Sequence, residues 1–247
     1  MTQNFEVMAK KKKAPAKGNE FLENPQALAE QLSKTEEFVE KNQKGVFVFA
    51  GIIVLVLVGI FGYRYYIGNQ NQIAQNEMFQ AVFYFEADSL GYALNGDGLN
   101  YGFLDVISEY PGTKASNLAY YYSGATYLQL GDYESALRNL ENFDGEGHIL
   151  QAQAYALTGD ALMELKDFEH AAENYTKAAN FKANEEFSPI YLEKAALAYE
   201  KINRLEDALD VYTIIIEKYF ESTQYQDARK HKARLEMLTK SWQKWIW

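Results

Sequence analysis

Residues 120–136 read YYYSGATYLQLGDYESA, and the pattern of this stretch returns twice further along the chain. It returns as YALTGDALMELKDFEHAAENYTKA at 155–178 and as LEKAALAYEKINRLEDALDVY at 192–212. In each copy a small residue precedes a polar turn, and an alanine follows that turn. The turns at 131, 166 and 203 lie 35 and 37 residues apart. A period of this length indicates stacked helix pairs, and therefore an all-α fold.

The three copies resemble the tetratricopeptide repeat (TPR), a helix–turn–helix unit of about 34 residues. The resemblance implies that small residues at two positions of each repeat let the paired helices pack closely. The third copy departs from the motif at its turn, which reads Asn-Arg-Leu at 203–205. A non-repetitive helical bundle is the alternative interpretation. The expected packing residues are Gly124, Gly159 and Ala196 on the first helices and Ala136, Ala171 and Ala208 on the second helices.

Helices are also expected on both sides of the three copies. Residues 77–90 and 101–110 have the pattern of a diverged first pair, joined by a loop at Asn95-Gly-Asp-Gly. Residues 222–240 predict a terminal capping helix with a polar outer face. The expected distal domain, residues 69–247, is thus a TPR-like α-solenoid of about four helix pairs plus a C-terminal capping helix.

An uncharged run, GVFVFAGIIVLVLVGIFGY at 45–63, precedes this domain. At about 1.5 Å per residue, a helix of this length spans about 28 Å, close to the roughly 30 Å hydrocarbon core of a bilayer. The sequence therefore predicts a single transmembrane helix over 45–67, with a buried core helix as the alternative. Gly51 and Gly59 share one face of it, which either admits another helix or faces lipid.

Lysines indicate the orientation of this span. Eight lysines precede the run, whereas only Arg64 follows it before Lys114. We therefore expect a cytoplasmic N-terminus and a distal domain across the membrane. The 44 residues ahead of the run favour an uncleaved anchor over a cleaved signal peptide. Residues 1–23 are expected to be a disordered basic head, whose lysines signal topology or attract anionic lipid or RNA, and residues 24–44 a juxtamembrane helix.

The composition gives little indication of catalytic, metal-binding or nucleic-acid-binding residues. Residues 65–247 carry 15 Lys and Arg against 27 Asp and Glu, a net charge of −12, which argues against nucleic acid as a partner. There is no cysteine, and the three histidines lack ligands at metal spacing. The loop at 95–98 lacks the glutamate that would complete an EF-hand. We expect no enzyme activity, no cofactor and no metal. The acidic balance serves either solubility or the docking of a basic partner.

A membrane-tethered repeat domain without a catalytic constellation predicts a binding scaffold. The first helix of each TPR pair lines the groove, so the resemblance nominates a partner-binding face. That predicted face consists of Tyr121, Ala125, Leu128, Gln129, Ala156, Asp160, Met163, Glu164, Glu193, Leu197 and Glu200.

The plan of short head, one span and distal repeats resembles the YfgM-type ancillary subunits of the bacterial Sec translocon, most specifically at residues 107–119. That resemblance implies an inner-membrane protein with a periplasmic TPR domain. The implied partners are the Sec channel subunits, a PpiD-like membrane-anchored chaperone and emerging secretory chains. A periplasmic scaffold for envelope assembly, a dedicated secretion system or cell division is the alternative, and an organelle import receptor is a third.

Overall fold

Helices account for the regular structure of the chain. The structure is a computed structural model that describes residues 33, 35–145 and 149–245, of which 240–245 are described by their backbone alone. Within these ranges there is no strand, which confirms the predicted all-α class. Residues 35–41 are helical ahead of a turn at Asn42. The helices that follow are α1 Gln43–Glu86, α2 Leu90–Asn95, α3 Phe103–Glu109, α4 Lys114–Leu130, α5 Tyr133–Asn142, α6 Ile149–Glu164, α7 Phe168–Asn180, α8 Ser188–Lys201, α9 Leu205–Lys218 and α10 Tyr225–Trp245.

Contacts divide the chain into two units, residues 1–63 and 64–247. In the first unit, the apolar run lies in α1 and none of its residues is buried. This helix is long and apolar enough to cross a membrane. The predicted head, residues 1–23, lies outside the described residues, as do residues 24–32 and 34 of the predicted juxtamembrane helix.

In the second unit, each helix packs mainly against the next one along the chain. Helices α4 and α5, α6 and α7, and α8 and α9 form three extensively packed pairs, α7 packs at least as closely on α8, and α10 packs on α9. Smaller contacts join α5 to α6 and α4 to α6, so that neighbouring pairs are also in contact. This serial arrangement is the packing expected when each pair buries an apolar face against its neighbours.

The pairs α4/α5, α6/α7 and α8/α9 turn in the same way. At each turn one residue adopts the left-handed conformation, with φ between 59° and 79°. The N–H of the following residue donates to the carbonyl five positions earlier, at 2.9–3.0 Å. This bond closes the preceding helix and fixes where the second helix begins. The left-handed residues are Gly131, Lys166 and Asn203, the three turn positions identified in the sequence.

Capping distinguishes the third turn from the other two. The Asp132 carboxylate accepts the Ser135 N–H at 3.0 Å, and Asp167 occupies the same position at the next turn and accepts from His170. The third turn has Arg204 there, and this side chain donates to Asp207 at 2.8 Å instead of capping the helix. The Asn-Arg-Leu departure in the sequence therefore replaces a side-chain cap by an ion pair on the helix surface.

The flanking helices differ in detail from the sequence prediction. One helix was expected over 77–90, but α1 ends at Glu86 because Asp88 turns the chain with φ 57°. Ser89 then precedes α2, whose end at Asn95 begins the predicted loop. In that loop the Asp97 carboxylate accepts the N–H groups of two following residues at 2.7 and 2.8 Å, which fixes the turn.

Two kinds of core hold the second unit together. Between α1 and α4 the core combines five buried alanines with aromatic rings, and the rings of Phe103 and Tyr122 stack at 5.2 Å. From α6 to α10 it consists mainly of alanines around the buried rings of Tyr175, Tyr191 and Tyr212. Small side chains let helix backbones approach closely, so the tyrosines fill the remaining space.

Candidate functional site

The predicted partner-binding face falls on the first helices of the three tight pairs. Its four N-terminal members lie on α4, its next four on α6 and its last three on α8. Their exposure differs widely. Ala125 and Ala156 are buried, whereas Gln129, Glu164 and Leu197 are exposed, with Leu197 at 38%. The other six are half-buried. A partner that approaches this face would therefore meet mainly the C-terminal turns of α4 and α6 and the middle of α8.

Among the predicted packing residues, the two glycines lie against the second helix of their own pair. A Cβ added at Gly124 would lie 2.6 Å from the Cγ of Leu140, and one added at Gly159 would lie 2.6 Å from the Cε1 of Tyr175. Both distances are shorter than any real carbon contact, so only hydrogen fits at these two positions. All six are buried: Gly124, Ala136, Gly159, Ala171, Ala196 and Ala208.

Asp160 accepts bonds from two neighbouring helices. The hydroxyl of Tyr175 on α7 donates to its Oδ1 at 2.6 Å, and the Nζ of Lys194 on α8 donates to the same oxygen at 2.7 Å. The ammonium group of Lys194 also lies 5.5 Å from the centre of the Tyr175 ring. Burial, with the neighbouring carboxylate second, raises the pKa of Tyr175 far above its ordinary value. The hydroxyl therefore remains a donor across the physiological range.

Glu200 occupies the same kind of junction one pair later. The Tyr212 hydroxyl on α9 donates to its Oε1 at 2.9 Å, and the guanidinium of Arg234 on α10 donates to its other oxygen. The His231 ring stacks on Tyr212 at 5.3 Å. Burial, followed by the bond to Glu200, raises the pKa of Tyr212 as it does that of Tyr175.

The two junctions have the same period. Lys194 follows Asp160 by 34 residues, and Arg234 follows Glu200 by 34 residues. In both, a tyrosine of the second helix donates to a carboxylate of the first helix, and a cation from the next first helix or from α10 completes the set. Both carboxylates were nominated as partner contacts, and the structure shows that they join neighbouring helices.

Tyr121, the first residue of the predicted face, also joins helices. Its hydroxyl donates to the Oε1 of Gln153 on α6 at 3.1 Å, and its ring lies 5.3 Å from that of Phe143. Burial raises the pKa of Tyr121 to about 12. Glu193 on α8 has a raised pKa as well, because it is partly desolvated and lies near Asp227.

The remaining surface of the face is acidic where it is open. Glu164 is exposed at the end of α6 and Gln129 is exposed at the end of α4. Both residues belong to the last turn of their helix, where the partial negative charge of the helix dipole makes the local electrostatic potential more negative. Because Asp160 and Glu200 are already paired with cations, the open negative charge comes from Glu164, Glu193 and the helix ends.

No protein-family model and no curated protein matches this chain. The repeats and their junctions therefore rest on the residues and the geometry described above.

A cleft that the sequence analysis missed lies beside the start of α4. It encloses about 500 Å³. Its wall is formed partly by residues between Gly112 and Tyr120 and partly by Phe143 and Leu150. Asn117 exchanges two bonds with the backbone of Asp144, at 2.7 and 2.9 Å, and so ties the two walls together. The sequence could have indicated this cleft only through the pairing of Asn117 with Asp144. These residues are 27 positions apart, and no sequence pattern predicts such a contact.

Two further features were sought in the described residues: a metal centre, and a helix that contacts Gly51 and Gly59. In the described part of the chain, no group of three or more His, Asp or Glu side chains could hold a metal ion. A Cβ added at Gly51 or Gly59 would meet nothing within 4 Å.

Proposed function

We propose that the chain is a membrane-anchored scaffold whose TPR-like repeats bind a partner protein. Helix pairs that pack in series, with turns at Gly131, Lys166 and Asn203 that lie 35 and 37 residues apart, support the repeat assignment. Pairs stacked in this way present a continuous face of first helices. The apolar part of α1 supplies the anchor.

The partner offers a basic surface to this face. Glu164, Glu193 and the helix ends leave net negative charge there, and Leu197 adds an exposed apolar contact. A basic amphipathic segment satisfies both requirements. The cleft beside α4, with Phe143 and Leu150 in its wall, offers a second apolar contact for an extended segment.

The cellular setting that we propose is the bacterial inner membrane, with the repeats in the periplasm next to the Sec channel. The eight-to-one distribution of Lys and Arg around the span supports this orientation. The resemblance at residues 107–119 supports the Sec channel, a PpiD-like chaperone and emerging secretory chains as partners. Protease added to spheroplasts would digest a periplasmic repeat domain, and protection until the membrane is lysed would contradict the orientation.

The experiment that tests the function is purification of the full chain from native membranes in mild detergent, with identification of co-purifying proteins. We compare the wild type with Gln129→Arg/Glu164→Arg, which places positive charge on the open face. Both substitutions lie in the last turn of a helix, where a cation is compatible with the dipole. The matched control is Asn180→Arg/Glu217→Arg, which makes the same change of charge at the ends of the second helices α7 and α9.

Loss of the partner in the first variant and its retention in the control would support the binding face. Equal recovery of the partner from both variants would overturn it. Recovery of Sec channel subunits and a membrane-anchored chaperone would support the export role, whereas recovery of envelope-assembly, secretion-system or division proteins would favour the alternative scaffold.

A further inference from the structure

The charge of the chain reverses at its last helix. Residues 65–221 carry nine Lys and Arg against 25 Asp and Glu, a net charge of −16. Residues 222–247 carry six against two, a net charge of +4. The cations therefore form a cluster at one end of an otherwise acidic unit, and an anionic surface would attract that end and repel the rest.

The end of α10 is amphipathic by position. Apolar residues recur at 235, 238, 242 and 245, in steps of three and four, so these positions follow one side of the helix. Four of the six basic residues after residue 221, at 229, 230, 240 and 244, occupy positions on the other side. Leu235 is fully buried in the core, whereas Leu238, one turn later on the same side, is 41% exposed. The apolar positions thus continue beyond the part of α10 that the core covers.

The composition of this end is typical of a membrane–water interface. The last eight residues read KSWQKWIW and contain all three tryptophans of the chain. Tryptophan is enriched at the level of lipid head groups, and lysine is attracted to anionic lipid phosphates. A helix with both, on opposite sides, is the pattern of an interfacial segment that lies in the plane of the bilayer surface.

We propose that residues 236–245 dock on an anionic lipid bilayer as a second membrane contact of this chain. The bilayer is the occupant that meets both requirements, because its phosphates pair with Lys240 and Lys244 and its head-group region accepts the indole rings. The inference rests on the proposed membrane anchoring, since only a chain held at a bilayer brings this segment close to lipid at high effective concentration.

Tryptophan fluorescence tests the inference directly, because every tryptophan of the full chain lies within residues 242–247. The full chain is reconstituted into vesicles of phosphatidylcholine, alone or mixed with phosphatidylglycerol, with and without acyl-brominated lipid as a quencher. Flotation of the vesicles first establishes that the chain is membrane-bound. We expect strong quenching in the anionic vesicles, weaker quenching in the neutral ones, and loss of the difference at high salt.

Charge variants give the matched comparison. Lys240→Glu/Lys244→Glu should weaken docking by about ten-fold or more, since each basic residue near an anionic surface contributes roughly five-fold. Lys177→Glu/Lys201→Glu makes the same change at exposed lysines of α7 and α8 and should leave the quenching as in the wild type.

Three results would overturn the inference. A chain that floats with the vesicles but shows no bromolipid quenching is anchored without this contact. Quenching that follows the protein-to-lipid ratio and not the anionic lipid content indicates contact with a second copy. A chain that does not float with either type of vesicle has neither the anchor nor the docking segment, and this result refutes the proposed anchoring as well.

Discussion

The first helix pair of the second unit and the pairs that follow it are held together by different contacts. Around α3 the rings of Phe85, Phe103 and Tyr122 pack against one another. From α6 onward, glycine and alanine lie where helices cross, and a tyrosine of the second helix fills the gap. Large rings tolerate irregular spacing, whereas close backbone approach requires a small residue at a fixed position. The later pairs therefore keep a visible period and the first pair does not.

The later pairs also carry the junctions of tyrosine, carboxylate and cation that link one pair to the next. The equivalent of Tyr175 and Tyr212 in the α4/α5 pair is Leu140, which packs on Gly124 without a polar partner. The ionic junction is therefore a property of the last two pairs. The stability of the aromatic region should therefore depend on the volume of its rings. The stability of the later pairs should depend on glycine at the helix crossings, where no side chain fits, and on the ion pairs.

The largest effect is expected in the aromatic region. Phe103→Ala removes a fully buried ring that stacks on Tyr122, and we expect the free energy of unfolding to fall by about 3–5 kcal/mol. The same substitution at Phe79, which is 72% exposed, should cost less than about 0.5 kcal/mol. Urea unfolding of the full chain in mild detergent, followed by circular dichroism, measures both. Equal losses at the two positions would contradict the ring-packing account.

The next effect concerns the helix crossings of the later pairs. Gly159→Ala forces a methyl group against the buried Tyr175 ring, and overpacking of this kind costs about 1–3 kcal/mol. Gly91→Ala is the control, because a Cβ there meets nothing within 4 Å and alanine is the better helix former. Thermal unfolding should therefore show a lower midpoint for the first variant and an unchanged or higher one for the second. A neutral Gly159→Ala would mean that the crossing can widen.

Much of the fold could be predicted from the sequence, because close helix crossings leave a periodic trace. The three turns, at Gly131, Lys166 and Asn203, were located from spacing alone, although only one of them has the glycine that favours a left-handed residue. The end of α1 at Glu86 and the break at Asp88 were less accessible. No helix-breaking residue precedes that break, and Asp88 gives only a weak local signal.

The candidate site was harder to predict than the fold. Helical position identifies which residues share a face, but not which of them are already paired. Asp160 and Glu200 are charged, as residues that bind a partner often are. In the structure, however, each accepts a hydrogen bond from a tyrosine of the neighbouring helix. A search for opposite charges 34 residues apart would have found both junctions from the sequence. The cleft beside α4 depends on contacts between Asn117 and Asp144 that follow no period.

A smaller effect distinguishes the ionic junctions from ordinary surface ion pairs. In a double-mutant cycle with alanine, Glu200 and Arg234 should couple by about 1 kcal/mol, since the Glu200 side chain is only 16% exposed. Asp160 and Lys194 are more open and should couple less. The matched surface pair is Arg204 with Glu169, 35 residues apart and more exposed still, and its coupling should be near zero. A reversed order would show that burial does not govern these pairs.

The smallest effect is a change in the pH dependence of stability. Burial raises the pKa of Tyr121 to about 12, above the value of about 10 in the unfolded chain. Above about pH 10 the unfolded state has therefore lost this proton while the folded state keeps it, and stability falls until the folded group also ionises. Tyr121→Phe should make the alkaline fall of the urea midpoint shallower.

The readout for this last comparison is the slope of the midpoint against pH and not its level, because Tyr121→Phe also removes the hydrogen bond to Gln153 at every pH. Tyr175→Phe should act in the same direction as Tyr121→Phe, since the pKa of Tyr175 is raised further by burial and by Asp160. If both variants keep the wild-type slope, the buried hydroxyls do not link folding to proton binding, and alkaline unfolding begins in the aromatic region or at surface charges.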